Sequence, residues 1–408
     1  MRLTIERLGH LGDGIAAGPV YVAGALPGEV VEGEVVGDRM PAPRIVTASP
    51  DRVKPACPHY RACGGCILMH ASDGFVTAWK QEVVRAALDG QGLAAPIRGV
   101  ATSPEGSRRR AVLSGRRTKK GAVVGLHGRA SDTVVAIPGC RLLRPELLAA
   151  IPAAEEITAV GASRKGELSL ALTLTEGGVE LAVTGGKPMD AALFSALAGV
   201  AGRAGFARLA WEGETVVSAR PAAQRFGRAL VVPPPGGFLQ ATREGEAALL
   251  DCVRQAIGPA QHVADLFAGS GTFALPLAED REVQAFEGEP AAVAALEAGW
   301  RQAPELRRLS ARTRDLFRRP LMPDELAAFD AVVIDPPRAG AEAQVIEIAR
   351  SEVPVVAAVS CNPVTFARDA RIMVAGGYAI DWIEVVDQFR WSAHVEIAAR
   401  FSRHISTS

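Results

Sequence analysis

Val263-Ala264-Asp265-Leu266-Phe267-Ala268-Gly269-Ser270-Gly271-Thr272 is the stretch on which the fold turns. Its opening residues, with His262 before them, read as an apolar strand. The glycines let a ligand approach the backbone, and Phe273-Ala274-Leu275-Pro276-Leu277-Ala278 can start a helix. Downstream, Val283–Phe286, Ala331–Ile334 and Val355–Val359 read as buried strands with helix-length stretches between them. That alternation predicts a doubly wound, Rossmann-like α/β domain. The second strand ends at Glu287, where a carboxylate can hold a ribose through two hydroxyls. A nicotinamide cofactor would use the same features, but the third glycine of the dinucleotide fingerprint is absent.

Asp335-Pro336-Pro337-Arg338 follows the strand Ala331–Ile334, putting a carboxylate and a rigid turn at the carboxyl edge of the sheet, where ligands of open α/β sheets bind. An Asp-Pro-Pro turn there is similar to that of S-adenosylmethionine enzymes and is not expected in a dehydrogenase. Ser360-Cys361-Asn362-Pro363 follows Val355–Val359 and brings Cys361 to the same edge. A free cysteine is usually buried and inert, but one facing a cofactor cleft is a candidate nucleophile. Carbon 5 of a pyrimidine reacts poorly until a nucleophile adds at carbon 6, which a thiolate can do. The carbon 5 proton must afterwards leave, so a general base is needed too. Glu396, in His394-Val395-Glu396 on the last strand-like run, is the candidate.

Upstream the pattern changes. Residues 1–50 show short β-type runs cut by Gly12, Gly14, Gly18 and Gly28 and predict a small β-barrel. Residues 51–230 read as a mainly β central domain, including a hairpin of Glu167–Thr175 and Val179–Val183. Pro233-Pro234-Pro235-Gly236-Gly237 breaks regular structure, so the α/β domain is expected over 231–408.

The 408 residues are 48% hydrophobic and 22% charged, and no apolar run reaches the roughly 18 residues of a membrane span. The start, Met1 to His10, shows no secretory signal, so a cytoplasmic chain is expected, with no membrane partner and no obligate protein partner, working as a monomer. Net charge is zero, which makes any nucleic-acid site local. Residues 101–130 offer one, with Arg108, Arg109, Arg110, Arg116, Arg117, Lys119, Lys120 and Arg129 against Glu105 alone. A solvated basic face would read the same way.

With these residues assembled, the chain resembles the bacterial RNA uracil-5 methyltransferases, particularly those that carry an iron–sulfur cluster and modify 23S ribosomal RNA. The opening motifs, Ile5 to Leu8, Gly12-Asp13-Gly14 and Gly24 to Glu29, look like that family's TRAM domain, an RNA-binding barrel. The resemblance implies S-adenosylmethionine as cofactor, held by Gln240, Phe267, Thr272, Glu287, Asp315 and Asp335. It further implies Cys361 as nucleophile, Glu396 as base and RNA as partner. Thr272 and Thr242 depart from the family's usual asparagines, Arg390 from its proline and Ser392 from its threonine.

Cys57, Cys63, Cys66 and Cys140 suit either zinc or a 4Fe-4S cluster on chemistry alone. The resemblance favours the cluster, in a structural or RNA-binding role. Cys252 reads as a core residue. The expected activity is methylation of carbon 5 of a uridine through a covalent cysteine–uracil adduct. Rival readings are a transfer RNA uridine-5 methyltransferase, a noncatalytic RNA-binding assembly factor, an iron–sulfur electron carrier and a cytosine-5 methyltransferase.

Overall fold

In the computed structural model, which describes residues 1–403, the chain builds three principal sheets. The first is six-stranded, in the order Arg39–Met40, Val20–Val22, Gly14–Ala16, Arg2–Leu8, Val30–Glu32, Arg44–Thr47. It curls around Ile5, Ala16, Val22, Val31 and Met40. Gly14 is required where the sheet closes on its loop, because a Cβ there would sit 2.8 Å from the Ala25 carbonyl oxygen.

The second sheet has seven strands, and its centre is the Glu167–Thr175 and Gly178–Thr184 hairpin. Period-two alternation sends Leu168, Leu170 and Leu172 into one core, under helices Ile151–Gly161 and Ala191–Ala204.

The third sheet has eight strands, in the order Leu309–Thr313, Glu282–Glu287, His262–Leu266, Ala331–Ile334, Val355–Ser360, Glu396–Arg403, Tyr378–Asp387, Ile97–Thr102. Both faces are covered. Val263, Ala331 and Val333 enter one core while Ala264, Val332 and Ile334 enter the other. Burial on both faces is why these strands are apolar runs in sequence. Every pairing is parallel except those of Glu396–Arg403, which runs against both neighbours. A reversed strand begins where its parallel neighbours end, so Glu396 lies beside the end of Val355–Ser360, with Ile397 opposite Ser360.

The segment 51–230 does not keep to itself. Its strand Ile97–Thr102 extends the third sheet, and helix Asp73–Asp89 sends Val84 and Leu88 into one of that sheet's cores. A sequence boundary near 231 misses this because neither element is covalently near the sheet it joins. Residues 404–408, the tail of the expected 231–408 unit, lie outside the described residues.

Candidate active site

The carboxyl edge of the third sheet opens into a cavity of about 560 Å³. That falls within the several hundred Å³ usual for a cofactor or small-molecule site. Gln240, Phe267, Thr272, Glu287, Asp315, Asp335, Cys361 and Glu396 all line it. Residues far apart in the chain meet here because each follows a strand end or begins the reversed strand, save Gln240, which lies in the loop before helix Arg243–Ile257.

The glycine turn shapes one end of the cavity. Phe267 takes a left-handed φ of +63°, rare for a bulky side chain, and its ring lies 5.4 Å from that of Phe317. Gly269, at φ +55°, presents open space where a Cβ would point, whereas a Cβ on Gly271 would strike Leu275 at 2.6 Å. Glu287 accepts from Gly269 N at 2.8 Å and from Glu289 N at 2.9 Å. Asp315 accepts from Phe317 N at 3.0 Å. Both carboxylates are thereby aimed before any ligand arrives.

The chemical end is built by Cys361, Asp335 and Glu396. Asn362 caps helix Pro363–Ala375 by accepting from Val364 N, and its amide donates to the Arg338 carbonyl at 3.1 Å. This ties the Cys361 turn to the Asp335-Pro336-Pro337-Arg338 turn. Glu396 is 4% exposed, and burial first, with the Asp335 charge second, pushes its carboxyl up to about 8. Burial pushes Asp335 up to about 7. Burial, then the charges of Glu396 and Asp335, push the Cys361 thiol up to about 11. Crowded carboxyls favour protonation of one another and of the thiol.

Sequence reasoning missed two residues that hold this end together. The Gln388 side-chain amide donates to Gln240 Oε1 at 2.6 Å and to Glu396 Oε2 at 2.9 Å, and its oxygen accepts from Ala241 N at 2.8 Å. Lys80, wholly buried, forms an ion pair with Asp387 and donates to the carbonyls of Phe389 at 3.3 Å and His394 at 3.0 Å. One ammonium from helix Asp73–Asp89 thus pins three points of the loop leading to Glu396. No local sequence signal joins residues 307 apart.

The expected metal ligands form a second site. Cys57, Cys63, Cys66 and Cys140 line one small cavity, and all are free thiols. A Cβ on Gly64 would meet the His127 carbonyl oxygen at 2.9 Å, and one on Gly65 would meet Leu126 at 2.8 Å. Glycines at both positions allow the tight turn that brings Cys63 and Cys66 together. Gly65 N donates to Cys63 Sγ at 3.4 Å and Leu142 N to Cys140 Sγ at 3.5 Å. Burial, then the neighbouring thiols, push Cys66 up to about 12. Among the described residues, however, no group of three or more His, Cys, Asp or Glu closes around a single metal ion. The four sulfurs share a cavity without forming a mononuclear site. Cys252 is core, as read.

The basic stretch divides. Arg109 is buried against Glu246 and Arg116 pairs with Glu167, while Arg108 and Arg110 line the cavity. Its cations therefore do not form one phosphate-facing surface.

An α/β sheet with one reversed strand, a glycine turn bonded to the Glu287 carboxylate, and a cysteine near a buried acid are the features of an enzyme with a nucleotide-type cleft. Comparison with known proteins makes the class specific. The family model described as tRNA (Uracil-5-)-methyltransferase matches residues 235–404. An uncharacterized RNA methyltransferase of Brucella suis is 45% identical over 98% of this chain and 97% of that protein. The 23S rRNA (uracil(1939)-C(5))-methyltransferase RlmD of Halomonas elongata is 34% identical over 97% of this chain and 88% of its own. The structure of the Pyrococcus abyssi tRNA (uracil-54, C5)-methyltransferase, solved with S-adenosyl-L-homocysteine, superposes with a TM-score of 0.78 at 22% identity. It covers 98% of this chain and 99% of that one. The chain belongs to the RNA uracil-5 methyltransferase family and is an enzyme of that class.

Proposed function

We propose that this enzyme uses S-adenosylmethionine to methylate carbon 5 of a uridine in 23S ribosomal RNA, through a covalent adduct on Cys361 that Glu396 resolves. The observation carrying this reading is the convergence of Cys361 and Glu396 in one cavity with the expected cofactor-binding residues. The glycine turn, Glu287 and Asp315 supply groups suited to an adenosine. A ligand solved in the Pyrococcus abyssi protein, S-adenosyl-L-homocysteine, supports the same cofactor class here. The 34% identity to RlmD favours ribosomal over transfer RNA.

When bound, S-adenosylmethionine supplies an electrophilic methyl group on a positively charged sulfur. The residues do the rest. The target uridine must leave its stack for its carbons 5 and 6 to be reached. The Cys361 thiolate, its proton lost to water, bonds carbon 6, and the electrons of the 5,6 double bond move into an enolate. Carbon 5 would take the methyl group as its bond to sulfur breaks, the bonding pair staying on the sulfur, which becomes a neutral thioether. Ionised Glu396 then removes the carbon 5 proton, the double bond re-forms, and the Cys361 thiolate leaves. Gln388, donating to Glu396 Oε2, fixes that carboxylate and favours its ionised form.

The four thiols, in the same proposal, hold a 4Fe-4S cluster. A cluster carries one cysteine on each of several irons, so its ligands need not close on one ion, and the N–H donors to Cys63 and Cys140 suit sulfur ligands. The enzyme is proposed to act in the cytoplasm as a monomer. Among the described residues no helix is long and apolar enough to cross a membrane.

The test is tritium release from RNA labelled at uridine carbon 5, with 5-methyluridine mapped in ribosomal and transfer RNA of cells with and without the protein. Release that requires S-adenosylmethionine, and a single 23S position losing its methyl group, are expected. A lost transfer RNA methyl group would reassign the substrate, and no release would overturn the reaction. Anaerobically purified protein should carry about four irons and four sulfides. Stoichiometric zinc without sulfide would exclude the cluster.

A further inference from the structure

Arg108-Arg109-Arg110 enters a β-strand, so its side chains alternate between two sides. Arg109 turns inward, is 3% exposed, pairs with Glu246 and donates to the Gln240 carbonyl at 3.2 Å. Arg108 and Arg110 both turn to the cavity that holds Cys361 and Glu396. Neither has a carboxylate within ion-pair distance among the described residues, although many other arginines of the chain do. Arg108 uses its Nε on the Arg110 carbonyl at 3.0 Å, and Arg110 reaches the Gly236 carbonyl at 3.3 Å. Burial pulls both guanidinium pKa values down, against a partial pull upward from the Glu180 charge at Arg110.

Two aromatic rings flank them. Arg108 lies 5.5 Å from the Phe389 ring centroid and Arg110 lies 5.9 Å from that of Phe238, which is 64% exposed at the rim. Paired cations beside accessible aromatic faces are what a single-stranded nucleic acid meets, phosphate on guanidinium and base on ring. The other available anion is the carboxylate of the cofactor's amino-acid end. Position favours RNA. Phe389, beside Arg108, belongs to the loop that delivers Glu396, and the adenosine-type groups Gly269, Glu287 and Asp315 come from other turns. Arg110, beside Gly236 and Phe238, borders the turn that carries Gln240, so the cofactor arm of the test bears on it most.

We propose that Arg108 and Arg110 bind the phosphodiesters flanking the flipped uridine, an inference that rests on the RNA methylation reading above. Arg109 is then the residue that anchors the strand.

The experiment measures binding without turnover. Arg108→Gln and Arg110→Gln are compared with wild type for affinity toward a uridine-containing single-stranded RNA of roughly ten nucleotides, and separately toward S-adenosylhomocysteine. The oligomers carry either native phosphates or neutral methylphosphonates on both sides of the uridine. Each substitution should weaken RNA binding about tenfold and lower the slope of log affinity against log salt by about 0.7 for each phosphate lost. S-adenosylhomocysteine affinity should stay within about twofold, a factor too small to represent a lost ion pair. Neutralising the phosphates should weaken wild type but cost a variant carrying both Arg108→Gln and Arg110→Gln little more. Additive losses, or an unchanged salt slope, would overturn the proposal. Loss of S-adenosylhomocysteine binding with RNA binding retained would assign the arginines to the cofactor carboxylate instead. Because RNA affinity is read apart from catalysis, absence of uridine methylation in wild type would count against the function and not against this site.

Discussion

Two sulfur sites lie in this chain, and they differ in what surrounds the thiols. Cys361 stands beside Glu396 and Asp335, and two carboxyls add to burial in holding its thiol at about 11. Cys66 stands beside three other thiols, which add to burial in holding it at about 12. In both, burial and neighbouring acids or thiols outweigh the one nearby arginine, Arg338 at Cys361 and Arg108 at Cys66. The sites part in the cavity each opens to. Around Cys361 the cavity of about 560 Å³ leaves room for the proposed cofactor and base, and one sulfur suffices for the proposed reaction. Around Cys66 a small cavity is lined by all four cysteines, the arrangement the proposed cluster would need. The comparison teaches that a raised thiol pKa does not distinguish a nucleophile from a ligand. The neighbours and the access do.

The largest effect expected is at the first site. Cys361→Ala should abolish tritium release while leaving thermal unfolding and iron content as in wild type. Cys66→Ser should show the opposite pattern, with iron lost and unfolding shifted to lower temperature. If Cys66→Ser stops turnover with iron and stability intact, the division between the sites fails.

Next comes Lys80, which links the sites' surroundings by fixing the loop that also carries Trp391 into the apolar cluster around Cys66. Lys80→Met leaves Asp387 buried and unpaired, at a cost of about 3–5 kcal/mol. Urea unfolding checks this, and a Lys80→Met, Asp387→Leu double variant should recover part of the loss. An unchanged unfolding midpoint in Lys80→Met would show that the ion pair does not hold the loop.

The smallest effect concerns pH. Glu396 and Asp335 have folded pKa values raised to about 8 and about 7, so the folded state holds protons that the unfolded state releases. Stability should therefore fall as pH rises from about 4 to about 8, the window between unfolded and folded values. Glu396→Gln should flatten that fall and unfold at a higher temperature than wild type at pH 8. Turnover, which needs ionised Glu396, should rise across the upper part of the same window. A pH-independent difference between variant and wild type would mean that Glu396 is not held protonated.

Much of the candidate site was legible because its residues sit where strands end. Cys361, Asp335 and Glu287 each follow an apolar run, and an apolar run ending in a polar residue is visible in one dimension. Glu396 was legible only as the opening of a final strand; that this strand runs backward, which delivers it to the site, depends on the sheet. Lys80 and Gln388 were invisible because their partners are set by packing. Ile97–Thr102 was hidden for the same reason, since its hydrogen-bond partner is Tyr378–Asp387. Within the basic stretch, charge counts could not show the alternation that buries Arg109 and turns Arg108 and Arg110 to the cavity.

The central claim is that Cys361 opens, and Glu396 closes, one covalent adduct. Glu396→Gln should permit attack and methyl transfer while slowing loss of the carbon 5 proton by roughly 10²–10⁴-fold. Incubated with S-adenosylmethionine and substrate RNA, this variant should accumulate a protein–RNA species that survives denaturation and carries the transferred methyl group. Adding Cys361→Ala should remove it. Normal turnover by Glu396→Gln without accumulation, or an adduct that persists after Cys361→Ala, would contradict the account.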